Sequence, residues 1–331
     1  MVKTHKSATR ATLPQVLGAV VGFIALSALG GVLVAGLMLP VATVAGSSAS
    51  GAIELFEELD PELAQLDKLP EQSNIYDRHG ELIATFYDEN RVVVPLEEIS
   101  PWLQKAVVAT EDRRFFDHNG VDGEGLLRAV AVNLTSSDSQ GASTLTQQLV
   151  KNTLLSAAVA NEDEEAIKAA TEVSLARKLR EAKQALTLEK LLNDTYGNDC
   201  SSTAPEVNCG KEKVLEQYLN IAQFGISVYG AEAAARFYFD KSAADLDALE
   251  SATIAGITQN PSKWDPTRFP ENTVIRRDTV LLVMNQQGMI TDEEFRAYVD
   301  TPLEDYLNIT RPKFGCVASQ DAPFFCDYVV K

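Results

Sequence analysis

The chain has few of the residues that build metal and redox centres: three histidines and four cysteines in 331 residues. The cysteines fall in two close pairs, Cys200 with Cys209 and Cys316 with Cys326. Neither pair has C-x2-C spacing and no histidine stands near either, which argues against a zinc-type site. Two short loops, each closed by a disulfide, are preferred to free thiols, and they require an oxidising compartment. No Ser-x-x-Lys occurs, nor Lys-Thr-Gly or Lys-Ser-Gly, so serine acyl-transfer chemistry has no site here. There is no internal repeat and no low-complexity tract. Positive charge is scarce: 29 Lys and Arg against 47 Asp and Glu, a net charge of −18. A surface this acidic repels phosphate backbones and excludes nucleic acid as a partner; the acid excess itself reads as a solvated surface.

From Leu13 to Ala45 there is no charged residue at all. The apolar stretch within it, Val16 to Leu39, is long enough to cross about 30 Å of hydrocarbon as a helix. Lys3, Lys6 and Arg10 precede it and hold that end in the cytoplasm. A cleaved signal peptide is the rival, since Val44-Ala45-Gly46-Ser47 is rich in small residues, but the apolar run exceeds a typical signal core. The expected order is a cytoplasmic tail (1–15), a transmembrane helix (16–45), a linker (46–72), a globular domain (73–310) and a short C-terminal segment (311–331). The bulk then lies outside the cytoplasmic membrane, on the side that suits disulfides.

Residues 73–96 alternate like a hairpin, with His79-Gly80 as the turn and Arg91–Val94 as a further strand. From residue 100 the pattern is helical. Ser100 is a good N-cap and Pro101 a good first helical residue. Thr144 and Gln147 have capping-box spacing, as do Thr291 and Glu294. Helices are predicted over 162–194, 211–223, 230–239, 243–257, 271–287 (ended by Gly288) and 292–299. The fold class is mainly α with a small β element at its start.

Five clusters carry side chains suited to chemistry. Glu111-Asp112-Arg113-Arg114-Phe115-Phe116-Asp117-His118-Asn119-Gly120 crowds acids, arginines and aromatics at a helix end. A carboxylate partly buried beside aromatics can exchange a proton near neutrality, although arginines neutralising a helix C-terminus explain the same pattern. Gly141 to Asn152 opens a helix with a glycine and three hydroxyl residues, whose free amides suit an anion. Gln147 and Lys151 share a face there, suited to sugar hydroxyls and phosphate oxygens; a well-capped surface helix is the plain alternative. In Arg177-Lys178-Leu179-Arg180-Glu181, Arg177 and Glu181 stand one turn apart, as in an ordinary surface ion pair or as a carboxylate held by basic neighbours. The fourth cluster runs from Lys213 to Gly225 and includes Asn220. The fifth runs from Ala233 through Glu250 to Ser262. Both read mostly as packing and turn positions.

In this order the clusters resemble the five motifs of glycosyltransferase family 51, the peptidoglycan polymerase domain of monofunctional transglycosylases and class A penicillin-binding proteins. E-D-x-x-F-x-x-H-x-G, G-x-S-T-x-T-Q-Q-x-x-K-N, R-K-x-x-E, Y-L-N and F-G carry the likeness, over about residues 75–310. The resemblance implies a lysozyme-like, mainly helical fold with a small membrane-proximal lobe. It implies that Glu111 is the general base, drawing the proton from the 4-hydroxyl of an acceptor N-acetylglucosamine on lipid II. That oxygen attacks C1 of the lipid-linked strand, giving a β-1,4 bond with inversion and releasing undecaprenyl diphosphate. Glu181 matches the second essential carboxylate. Lys151, Gln147, Ser143 and Thr144 match the diphosphate and donor face, with Arg177 and Lys178 beside them. Asp112, Arg113, Phe116 and His118 match residues that organise the cleft, and Asn220 and Glu250 fall in the later motifs. No cofactor is obligatory on this pattern; a divalent metal, Mg or Mn, is an option at the diphosphate. The implied partners are lipid II, the growing glycan strand, the cytoplasmic membrane and other cell-wall synthesis proteins.

The chain departs from the pattern in three places. Val173 stands where an arginine is usual, inside an acidic, alanine-rich insertion (about 156–173), with Lys168 and Arg180 as candidates to supply the charge. A second insertion, 197–210, carries the first cysteine pair. Gln223 stands where Tyr or Pro is commoner. The tail from Arg311 reads as the start of an inter-domain connection, which suggests a class A protein cut before its transpeptidase, with a naturally short polymerase as the alternative; the disulfide loops and insertions suggest an actinobacterial type. A lytic muramidase of similar fold, or a non-catalytic scaffold, are the competing functions.

Overall fold

A computed structural model describes residues 69–126, 128, 143–200, 209–312, 314–319 and 323–330. The expected transmembrane helix and most of the linker fall outside these residues, as do most of the segment before Ser143 and the middle of the first cysteine loop. Among the described residues no helix is long and apolar enough to cross a membrane.

The chain opens with the predicted hairpin, β1 (Ser73–Tyr76) against β2 (Leu82–Phe86), antiparallel. Asp77 accepts from the backbone of His79 and Glu81, and Gly80 takes the positive φ that closes the turn. The further strand is shorter than predicted: β3 covers only Asn90–Arg91. It pairs in parallel with β5 (Val228–Tyr229), which pairs antiparallel with β4 (Gln223–Gly225). This three-stranded patch was not foreseen. Its strands are two or three residues long, too short for alternation to register.

Helices dominate the rest of the described residues. They are α1 (Pro101–Glu111), α2 (Leu145–Ala160), α3 (Glu164–Thr171), α4 (Leu175–Tyr196), α5 (Gly210–Ile221), α6 (Ala231–Phe239), α7 (Ala248–Ile257), α8 (Pro270–Gln286), α9 (Asp292–Asp300) and α10 (Pro323–Val330). Ser100 caps α1, with Pro101 at its first position. Complete capping boxes open α2, α7 and α9. The single helix expected over 162–194 is two helices. The chain turns out after Thr171, leaves Val173 fully exposed, and restarts at Ser174, whose hydroxyl accepts from the Arg177 amide. The expected helix over 243–257 likewise begins later, at Ala248, after a 3-10 turn over Ala243–Asp245.

Every residue of α7 is buried, and it packs against α1 and α8. A helix buried on every side belongs in the centre of a core. Val214, Leu215, Tyr218 and Leu219 of α5 extend that core towards α2 and α4. Both disulfides are formed. The second ties α10 to the segment around Cys316, and that segment lies against the hairpin: Gly315 N donates to Thr85 O at 2.9 Å, and Phe314 stacks edge-on to Tyr87. The segment after residue 310 therefore folds back on the domain at this point.

Candidate active site

Glu111 is the last residue of α1, so its side chain leaves the helix where the backbone turns away. Its carboxyl group is largely enclosed, and its neighbours are polar. Oε2 accepts from Gln148 Nε2 at 3.0 Å, and Thr258 Oγ1 stands 3.2 Å from Oε1. Arg276 Nη2 is 3.7 Å from Oε1. Gln148 Oε1 in turn lies 3.3 Å from Tyr218 Oη. Burial, and secondarily the charge of Glu111, hold the Tyr218 phenol well above its usual range, so it stays neutral and can donate. The aromatic neighbour inferred from the sequence is not what surrounds Glu111. Phe115 faces away into the core, and Phe116 is 52% exposed and lines a separate pocket. The spacing E-D-x-x-F falls on Phe115, so the buried ring of this loop is Phe115 rather than Phe116.

Asp112 follows as the C-cap of α1 and is buried. It accepts from Leu145 N at 3.0 Å, and His118 Nε2 lies 2.9 Å from Oδ1. One carboxylate thus ties the end of α1 to the start of α2 and fixes a buried histidine. Arg113 points to solvent. The loop closes at Gly120, where φ is +79° and a Cβ would meet Ala185 O at 2.7 Å, so only glycine fits against α4. Thr144 donates to Gly120 O at 2.6 Å and accepts from Gln147 N, while Gln147 Oε1 accepts from Thr144 N. Capping therefore uses the Gln147 oxygen and leaves its amide nitrogen for the cleft.

The cleft itself encloses about 510 Å³ and is lined by Glu111, Ser143, Gln147, Gln148, Lys151, Lys178 and Glu181 at the centre. Arg91, Gln223 and Tyr229 of the three-stranded patch line it too, with Glu89 just before β3. Glu181 is buried in α4 and paired with Arg177 Nη1 and with Lys178 Nζ at 3.1 Å. Lys178 Nζ also donates to Ser143 Oγ at 2.8 Å. Lys151 is half-buried on α2, and its pKa is lowered: burial is the main cause, Arg177 and Lys178 push the same way, and Glu181 opposes them. Three cations thus share one anion. Neither Lys168 nor Arg180 is among the lining residues of the cleft.

Asn220 and Glu250, like Arg113 and Phe116, lie away from this cleft. Asn220 is buried and staples the chain after β3 to α5, accepting from Val94 N at 3.0 Å and donating to Val94 O at 2.8 Å. Glu250 completes the capping box of α7 and accepts from Lys241 Nζ at 2.7 Å. Arg276, Thr258, Gln148 and Tyr218 were not picked out as partners of Glu111. Arg276 and Thr258 lie more than a hundred residues from it in sequence, so only the packing of α7 and α8 on α1 brings them together.

Among the described residues there is no group of three or more His, Cys, Asp or Glu able to hold a metal ion. At the cationic end the one carboxylate, Glu181, already serves Arg177 and Lys178. That donor set does not fit a divalent ion held by the protein.

The chain that builds this cleft has relatives among known proteins. The family described as transglycosylase matches residues 79–285, and the chain belongs to it. Penicillin-binding protein 1A of Escherichia coli is 36% identical over 247 residues, covering 73% of this chain and 25% of that protein. Penicillin-binding protein 1F of Bacillus subtilis is 35% identical over 223 residues, covering 67% and 27%. Penicillin-binding protein 1A of Aquifex aeolicus is 34% identical over 253 residues, covering 76% and 31%. The chain thus spans about a quarter to a third of the length of these curated relatives. The crystal structure of penicillin-binding protein 1A from Haemophilus influenzae aligns over 75% of this chain and 22% of that one, at 21% identity and a TM-score of 0.38.

Proposed function

We propose that this chain is a peptidoglycan glycosyltransferase that extends glycan strands from lipid II. The observation that carries the proposal is the arrangement of one cleft: Glu111 enclosed by Gln148, Thr258 and Arg276, with Lys151, Arg177 and Lys178 gathered around Glu181. A sugar hydroxyl is a poor nucleophile and needs a base. A diphosphate leaving group needs positive charge. Glu111 takes the proton of the acceptor 4-hydroxyl as its oxygen bonds to C1 of the donor. The C1–oxygen bond to the diphosphate breaks with inversion, and the leaving electron pair is stabilised by the three cations. Glu181 keeps those cations from repelling one another and fixes Lys178 beside Ser143. The proposed reaction runs through the protein's own cations.

The same proposal sets the chain in the cytoplasmic membrane by residues 16–45, with its domain (73–310) outside. The apolar run and the two disulfides support that placement. Labelled lipid II, incubated with the protein in detergent, tests the activity. Wild type should yield long polymer, and Glu111→Gln should lose about a hundredfold to ten-thousandfold in kcat. Glu181→Gln should lose kcat/KM mainly through KM. Polymer formation by Glu111→Gln at the wild-type rate would remove the base from the scheme. Shortening of preformed glycan, without growth, would make the protein a lytic enzyme instead.

A further inference from the structure

Lys211 stands in the first turn of α5, outside the cleft of Glu111, and is almost wholly withdrawn from water. Its Nζ donates to Glu189 Oε1 at 2.8 Å and lies 4.5 Å from the centre of the Phe115 ring. Glu189 Oε1 also accepts from Thr146 Oγ1. Four segments therefore meet at one ion pair: α5 through Lys211, α4 through Glu189, α2 through Thr146, and the loop after α1 through Phe115. Burial depresses the lysine's pKa, and Glu189 only partly offsets this. Glu189 Oε2 is buried with no hydrogen-bond partner. An apolar pair would pack this spot at least as stably, so the two charges call for a reason other than stability.

Both routes out of Lys211 end at Glu111. Along one, the Phe115 amide donates to Asp112 O at 2.8 Å, and Asp112, the neighbour of Glu111, accepts from Leu145 N. Along the other, Thr146 lies two residues before Gln148, whose amide donates to Glu111 Oε2. A cation over an aromatic face, with a charged acceptor beside it, fixes direction as well as distance.

We propose that Lys211, paired with Glu189, is a positioning residue for glycosyl transfer: it holds the Phe115 loop and the first turn of α2 in register, so that Glu111 and its Gln148 donor stay aligned on the acceptor hydroxyl. This rests on Glu111 being the base.

The test uses the full chain in detergent with lipid II as the probe, reading Tm, KM and kcat. In Lys211→Met/Glu189→Met no unpaired charge is left in the core, so Tm should stay near or above wild type. Its kcat should fall about tenfold to a hundredfold, with KM changed less than about twofold, because neither side chain lines the cleft. Lys211→Arg should recover most of the rate. Thr146→Val, which removes only the α2 link, should lower kcat several-fold at unchanged KM. A folded double variant with wild-type kcat overturns the proposal. Should the double variant not fold, Thr146→Val decides, and an unchanged kcat there overturns it as well. Wild-type protein that makes no polymer defeats the polymerase proposal itself, whereas wild-type polymer with an equally fast double variant defeats only the role of Lys211.

Discussion

Glu111 and Glu181 share a cleft but differ in company. Glu111 accepts from neutral donors, with a single guanidinium at 3.7 Å; Glu181 is clasped by Arg177 and Lys178. In the proposed reaction the first carboxylate is the base and the second orders the cations. Removing the Gln148 donor tests the first. Gln148→Ala should cut kcat about tenfold or more with KM nearly constant, since the base loses its alignment while the cationic end is untouched. Lys151 gives a pH signature. Its depressed pKa means the charge is lost at a pH below the usual lysine value of 10.5. The alkaline limb of kcat/KM should therefore begin early, and Lys151→Arg should move it upward because a guanidinium stays charged above pH 12. The linkage to stability has the opposite sense. The unfolded chain binds the proton more tightly, so the cost of burying Lys151 is full below its folded pKa and eases as pH rises towards 10.5. An alkaline limb that ignores Lys151→Arg would detach this lysine from substrate binding. At this scale the sequence exposed what is local. Glu111, Gln147, Lys151 and Glu181 each sit in a short pattern with a chemical sense. Arg276 and Thr258 carry no such pattern of their own, because their meaning comes only from tertiary packing.

The elements turn those residues into a cleft mostly through helix ends. Glu111 ends α1, and Ser143 and Thr144 precede α2. Asp112 joins those two ends, and Thr144 carries the join on to Gly120 and so to α4. Thr144→Ala removes both the cap of α2 and its tether, and should cost about 1–2 kcal/mol in denaturant melts. Thr144→Ser, which keeps the hydroxyl, should recover most of that. An alanine variant as stable as wild type would mean that Asp112 alone secures the junction. Such ends were well marked in the sequence: the capping boxes at Thr144 and Thr291 and the Ser100-Pro101 start all stand where expected. The missed break between α3 and α4 had a weaker mark. Ser174 caps α4 through its hydroxyl alone, without an acid or amide three residues on to complete a box, and the charged, alanine-rich residues on either side favour helix throughout. The strands of the three-stranded patch are held by partners far away in the chain, Asn90 by Val228 for example, so no local period announces them.

For the whole molecule the decisive property is charge of opposite sign at two ranges. The chain carries −18 overall, yet the cleft gathers Lys151, Arg177 and Lys178 around one carboxylate. The anionic, diphosphate-bearing substrate of the proposed reaction would meet the net field first and the cations only on entry. The net field acts over a Debye length, about 30 Å at 0.01 M salt and about 8 Å at 0.15 M. The cations act at contact, partly shielded from water, where salt screens far less. Raising salt across that range should therefore weaken the repulsion more than the binding. In neutral detergent micelles, KM for lipid II should fall between 0.01 and 0.15 M salt while kcat stays level. Most steered encounters lose affinity with salt, so the sign separates the two cases. A KM that climbs steadily from the lowest salt would show that the cationic cluster governs approach as well as binding. In that event neutralising exposed acids remote from the cleft should leave KM at low salt unmoved; if repulsion governs approach, the same neutralisation lowers it.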